Sequence, residues 1–168
     1  MKTSVDRQTV NLSAYPDLIV IYLGLRVNTL RGLVTAMRLG PQIQKAADEK
    51  PDGLLAHEQI FYGLFPPHVG MRQYWRDFDA LEKWSRQLPH QKWWQDFLRN
   101  PGGTGFWHET YFMRGGMEAV FDDIKVPFGF TQFAAPQPAR GPMFSSRKRL
   151  MNEDARAASV VSEDELYR

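Results

Sequence analysis

The chain has no cysteine. That removes disulfides, zinc–thiolate sites and thiol nucleophiles, and it fits a reducing, cytoplasmic setting. It also lacks a charge excess of either sign: 21 Lys and Arg face 19 Asp and Glu, a formal net charge of +2. A phosphate-tracking surface needs a far larger basic surplus, so nucleic acid is not an expected partner. Long apolar runs are missing too. The longest, "LIVIYLGL" from residue 18, is too short to span a bilayer, and "MKTSVDRQTVNLSAYPD" contains no apolar stretch of signal-peptide length. There is no GxGxxG, P-loop, GxSxG or HExxH, which excludes the nucleotide, nucleophile-elbow and zincin signatures. No metal site is expected from the spacing of the four histidines, His57, His68, His90 and His108.

What the chain does have is apolar and aromatic residues, 43% and 13% of its 168 positions. That is enough for one domain with a sizeable core. Residues 1–16 read as an N-terminal arm. Residues 17–28 read as a strand that is apolar in both parities, the mark of a central strand buried on both faces. A helix is expected from Leu30, capped by Asn28 and interrupted at Gly40–Pro41. Residues 54–62 and 69–76 read as strands, and Asp77 as the cap of a second helix that Pro89 breaks or restarts. Residues 102–123 read as a β-hairpin turning at Gly115–Gly116. From about Pro136 the composition turns to Pro, Ala, Ser and charge, which predicts a polar tail or arm over 136–168. Residues 17–135 are thus the expected folded domain.

The order strand, helix, strand, strand, helix, strand is the ferredoxin-like split βαβ arrangement, βαββαβ, here with an extra C-terminal strand. An internal echo agrees with it. "LLAHEQIFYG" and "GFWHETYFMRG" each carry His-Glu shortly before a glycine, and each would close one βαβ half. Helices cover one sheet face only, so apolar strands need a second cover. Pairing in a homodimer, sheet to sheet, supplies one; the C-terminal segment is the alternative.

Strand parity sorts the candidate site. His108 shares a face with Phe106, Thr110 and Phe112, whereas Glu109 shares the other with Trp107 and Tyr111. Arg72 and Tyr74 share one face of the third strand, opposite to Met71, Gln73 and Trp75. Arg72 in a buried strand requires a carboxylate, for which Glu109 and Glu58 are the candidates. His108 is expected to point into an aromatic-walled cavity between sheet and helices, faced by Trp84, and Glu109 to point away and hold a partner. Should the strand face the other way, the site shifts to Trp107, Glu109 and Tyr111. His90 follows Pro89 and is expected to cap or bridge the helix restart.

The stretches "LFPPHVGMRQYWRDFDALEKWSRQLPHQKWWQDFLR" and "GGTGFWHETYFMRGGMEAVFDD" resemble the monooxygenase-like branch of the dimeric α+β barrel superfamily, grouped with a fungal polyketide-tailoring monooxygenase. The resemblance covers roughly residues 15–150, most specifically "YWRDFDALEKW" and "GFWHETY". It implies a dimeric α+β barrel and a place in secondary metabolism. The superfamily includes monooxygenases that oxidise aromatic or polyene compounds without metal or flavin. It also includes haem-binding members, among them haem-degrading enzymes and aldoxime dehydratases.

The leading expectation is therefore a cofactor-independent monooxygenase acting on a small hydrophobic molecule. His108 would be the base, Arg72 and Tyr74 anion stabilisers, and Trp84, Phe106, Phe112, Glu109, Tyr111 and His57 substrate-binding residues. The alternatives are a haem protein with His108 or His57 as axial ligand, and a non-catalytic binding dimer.

Overall fold

A computed structural model describes residues 5–113, 116–119, 121–122, 124, 127, 129–144 and 146–149. In chain order the elements are β1 (Arg7–Val10), β2 (Ile19–Val27), α1 (Leu30–Asp48), β3 (Leu54–Gly63), β4 (His68–Trp75), α2 (Phe78–Ser85), α3 (His90–Arg99), β5 (Thr104–Phe112), β6 (Phe121–Asp122), β7 (Pro136–Pro138) and α4 (Ser146–Arg149). They fall into two compact units, residues 17–112 and the described parts of 1–16 with 113–168.

In the first unit four antiparallel strands are ordered β3-β4-β2-β5. This is the ferredoxin-like α+β arrangement. The strand that is apolar in both parities, β2, pairs on both edges, with β4 from Ile19↔Trp75 to Arg26↔His68 and with β5 from Ile19↔Phe112 to Val27↔Thr104. The two echoed segments, β3 and β5, form the outer strands.

α1 runs unbroken through Gly40 and Pro41, where a break was expected. Proline's missing N–H costs the helix one bond, and the Gln42 amide donates to the Arg38 carbonyl at 2.9 Å in the same turn. Its cap is Thr29 rather than Asn28, without a side-chain bond. Instead the Asn28 and Thr29 N–H groups both donate to the Gly103 carbonyl, at 2.9 and 3.1 Å. A Cβ on Gly32 would collide with that same carbonyl oxygen, so the helix start lies directly on the turn before β5. At the other end Ala46 and Ala47 are buried. α1 is thus anchored at both ends.

Asp77 caps α2 as expected, accepting from the Ala80 N–H at 2.7 Å. There the sheet–helix layer is filled by Ile19, Trp75, Ala80 and Leu81, with Ile21, Leu54 and Trp84 packed against them. A register shift between Leu54 and Ala56 adds one residue to β3. Leu54 pairs with Trp75 before the bulge and His57 with Gln73 after it. Without the extra residue, His57 and Leu54 would have opposite parity and face opposite sides of the sheet.

The second unit departs from the sequence reading. Within the N-terminal arm, β1 is the middle strand of a sheet ordered β6-β1-β7. Thr9 is fully buried, and its hydroxyl donates to the Ala119 carbonyl at 2.7 Å. Among the described residues the expected hairpin pairing is not found: β5 pairs with β2 and β6 with β1. The expected domain end at 135 falls inside this unit, and part of the expected tail contributes β7. Arg7 lies over the Phe144 ring, 4.7 Å from its centroid. Gly115 and residues 150–168 lie outside the described residues. No helix among the described residues is long and apolar enough to cross a membrane.

Candidate active site

Between its anchored ends, α1 stands off the sheet. The gap is a cavity of about 550 Å³ walled by Leu25 and Val27 of β2, Val69 and Met71 of β4, and Ala36 and Met37 of α1. A smaller one, about 70 Å³, adjoins it beneath α2 and α3, walled by Trp84, Trp93, Trp94, Phe97 and Phe106. The two share Leu23, Leu25, Leu39, Ile43, Met71 and Phe106. Among the described residues no Asp, Glu, Lys or Arg lines either. The polar side chains are Gln44, His57 and Gln59 in the larger cavity and Gln73 and His90 in the smaller.

The hydrogen-bond partners of the two histidines fix their protons. The Trp75 indole N–H donates to Gln73 Oε1 at 3.1 Å. Since an indole can only donate, the Gln73 amide is oriented with Nε2 toward His57 Nδ1, 3.1 Å away. That NH₂ is itself donor-only, so Nδ1 is the accepting nitrogen and the His57 proton sits on Nε2. Burial holds the His57 pKa below the usual imidazole value, with Asp48 and Glu58 opposing.

His90 is wired the opposite way. Its Nδ1 lies 2.8 Å from the Ser85 carbonyl, which can only accept, so Nδ1 carries the proton and Nε2 keeps its lone pair. The ring sits between Trp84, with centroids 4.8 Å apart, and Trp93, at 6.1 Å. Burial lowers its pKa as well, opposed by the bond to Ser85. One cavity therefore carries an imidazole donor, and its neighbour an imidazole acceptor.

The predicted residues distribute as follows. His57, Trp84 and Phe106 line the cavities. His108 does lie on the helix face, paired with Leu23 and with its ring 6.0 Å from that of Phe106. It is nevertheless exposed and lines neither cavity. The helices explain this: Trp94 and Phe97 cover Phe106, and Phe78 covers Phe112, leaving His108 between them. Trp84 faces Trp75 and His90, not His108.

Arg72, Tyr74, Glu109 and Tyr111 occupy the opposite sheet face and cannot act with His108 or with the cavities. There Arg72 Nε donates to Glu58 at 2.6 Å and Nη1 to the Tyr22 hydroxyl at 3.1 Å. Burial raises the Tyr74 phenol far above its usual pKa. Glu109 accepts from Tyr111 at 2.5 Å and is exposed. The structural carboxylate is therefore Glu58, not Glu109. Glu58→Ala is expected to cost roughly 1–3 kcal/mol in urea unfolding, because a half-buried guanidinium loses its anion. Glu109→Ala is expected to leave the transition in place. A reversed order would return the structural role to Glu109.

The same geometry bears on haem ligation. An axial histidine needs a bare nitrogen facing a space of porphyrin size. His57 lines the large cavity but carries its proton on Nε2, while His90 has the bare nitrogen but lines the small cavity. His108 lines neither. None of these three histidines fits an axial haem ligand. Among the described residues no group of three or more His, Cys, Asp or Glu is placed to hold a metal ion.

Residues 18–130 match the family described as monooxygenase af470-like. Among curated proteins no sequence matches. Of solved structures, aldoxime dehydratase OxdRE, crystallised with butyraldoxime, is 20% identical with a TM-score of 0.63, over 80% of this chain and 38% of its own. A second aldoxime dehydratase is 20% identical with a TM-score of 0.61, over 79% and 39%. The chain thus spans about two fifths of these enzymes, and at this identity they share its fold. SnoaB, a cofactor-independent oxygenase from Streptomyces nogalater, is 12% identical with a TM-score of 0.44, over 58% of this chain and 94% of its own.

Proposed function

Because the chain belongs to the monooxygenase af470-like family, we propose that it is a cofactor-independent monooxygenase acting on a hydrophobic aromatic or polyene small molecule in the α1–sheet cavity. The observation that carries this reading is the opposite wiring of His57 and His90 on adjoining apolar cavities. A substrate with an acidic C–H beside a conjugated carbonyl needs a base at carbon and a donor at oxygen. His90 Nε2 is the base; His57 Nε2–H bonds the developing enolate oxygen.

The chemistry balances without another reductant: R₂CH₂ + O₂ → R₂C=O + H₂O. His90 takes the proton, and the carbanion's electrons reduce O₂ to give a carbon-bound peroxide anion, which His90 protonates. His90 then removes the second C–H proton as the C=O bond forms and the O–O bond breaks. The departing hydroxide takes that proton and leaves as water. The apolar lining gives the neutral substrate its place.

The test is oxygen uptake by the purified chain with neutral fused-ring phenols and ketones. One O₂ consumed per ketone formed, by a protein with no Soret band, is the expected result. A stoichiometric Soret band, or no uptake with any substrate that binds, would overturn the reading. We further propose a homodimer formed through the sheet face opposite the helices. Trp107 lies there over Gly24, and Tyr62 and Tyr111 are 41% and 49% exposed. Sedimentation at micromolar concentration should show two chains per particle, and a single chain would refute it.

A further inference from the structure

The chain Trp75–Gln73–His57 has a consequence for what the larger cavity accepts. Trp75 and Gln73 are 0% and 1% exposed, so water does not compete for their bonds. Each link has one polarity: indole N–H to amide oxygen, amide N–H to imidazole nitrogen. Turning the amide over would place its NH₂ against the Trp75 N–H, donor against donor, in a buried site. The Nε2–H of His57 is therefore set from the core, independently of any ligand. The cavity it lines has no charged side chain among the described residues, and its other polar side chains, Gln44 and Gln59, bond each other at 2.6 Å.

We propose that Gln73 is a positioning residue which, held by Trp75, fixes His57 as a hydrogen-bond donor, so that the larger cavity selects an uncharged ligand carrying a carbonyl-type acceptor oxygen and rejects anionic forms of the same skeleton. This rests on reading that cavity as the ligand site. A carboxylate or sulfonate entering it would lose its hydration and meet no cation. A neutral ketone gives up little and gains one directed bond. Gln73 touches no ligand in this scheme and acts through His57.

The experiment separates the wiring from the reaction. Long-range proton–nitrogen correlation spectra of the ligand-free full chain report which His57 nitrogen is protonated. The expected result is Nε2 in the natural chain. Gln73→Glu, whose carboxylate accepts from both Trp75 and His57, should move a proton onto Nδ1. Gln73→Leu should give a mixture of tautomers. Binding is read with prodan, a neutral naphthyl ketone whose emission shifts to the red on hydrogen bonding, and with the corresponding naphthalene sulfonate. The ketone should bind with red-shifted emission and at least roughly tenfold more tightly than the sulfonate, about 1.4 kcal/mol. Both the shift and the preference should shrink in Gln73→Leu. Nδ1 protonation in the natural chain, or an unchanged tautomer and preference in Gln73→Leu, overturns the proposal. The expected tautomers and selectivity in a chain that consumes no oxygen with any bound ketone uphold it while removing the oxygenase reading.

Discussion

His90→Phe is expected to lower oxygen-dependent turnover by roughly 10²–10⁴-fold, the range for loss of a general base, while the protein still binds its ligand. Phenylalanine keeps a ring between Trp84 and Trp93 but removes both nitrogens. The Ser85 carbonyl loses its donor, which costs about 1 kcal/mol in stability. The effect on rate should therefore far exceed the effect on folding. Equal losses in both would mean that His90 is only a helix bridge.

The pH dependence supplies a second check. Only neutral His90 can take a proton, and burial holds its pKa below the ordinary imidazole value of about 6.5. Turnover should stay level from neutral pH downward and fall only as pH drops through that depressed value. Stability follows the same groups. His57 and His90 are both depressed in the fold, so below about 6.5 the unfolded chain binds more protons than the native one. The stability they contribute is complete above that value and is lost as pH falls toward the folded pKa values. His90→Phe should remove the acid limb of turnover and part of the fall in melting temperature. An acid limb above pH 6.5 would contradict the buried, neutral assignment.

The fold was legible wherever a local pattern had one physical solution. A strand apolar in both parities had to pair on both edges, and β2 does. Asp77 before an amphipathic run had to cap, and it does. Arg72 needed an anion, and of the two candidates Glu58 sits directly across the strand pair. The second unit was not legible, because β1, β6 and β7 have four, two and three residues, too few to show alternation, and their pairing spans more than a hundred positions.

The site was half legible for a related reason. Parity put His108 and Glu109 on opposite faces without saying which of them meets the helices. The structure puts His108 there, opposite Leu23, but only the arrangement of the helices leaves it uncovered between Phe106 and Phe112. His57 reaches the cavity through a bulge, which sequence does not signal. His90 was read as a cap or a bridge at the helix restart, and its bond to the Ser85 carbonyl makes it the bridge. That the bridge bares its other nitrogen follows only once the partner is known to be the Ser85 carbonyl.

Ala36→Phe is expected to abolish ligand binding without unfolding the protein. Ala36 lines the large cavity from the middle of α1, and the helix is anchored to either side by Gly32 and by Ala46 and Ala47. A phenyl ring there extends into empty, apolar space rather than into packed core. Burying it should leave stability unchanged or raise it by about 1–2 kcal/mol, since the cavity is larger than the ring and the fit is loose. The same ring occupies the space next to Leu25 and Val69 where a fused-ring ligand would lie. Affinity for a neutral aryl ketone should fall by roughly 100-fold, about 2.7 kcal/mol, and turnover with it. Val34→Phe serves as the control, because Val34 is 57% exposed and does not line the cavity. It should change neither measurement. Titration by fluorescence and thermal unfolding of the two variants side by side decide the matter. Undiminished binding in Ala36→Phe would place the ligand elsewhere, and the opposite sheet face, with Arg72 and Tyr74, would then be the surface to test.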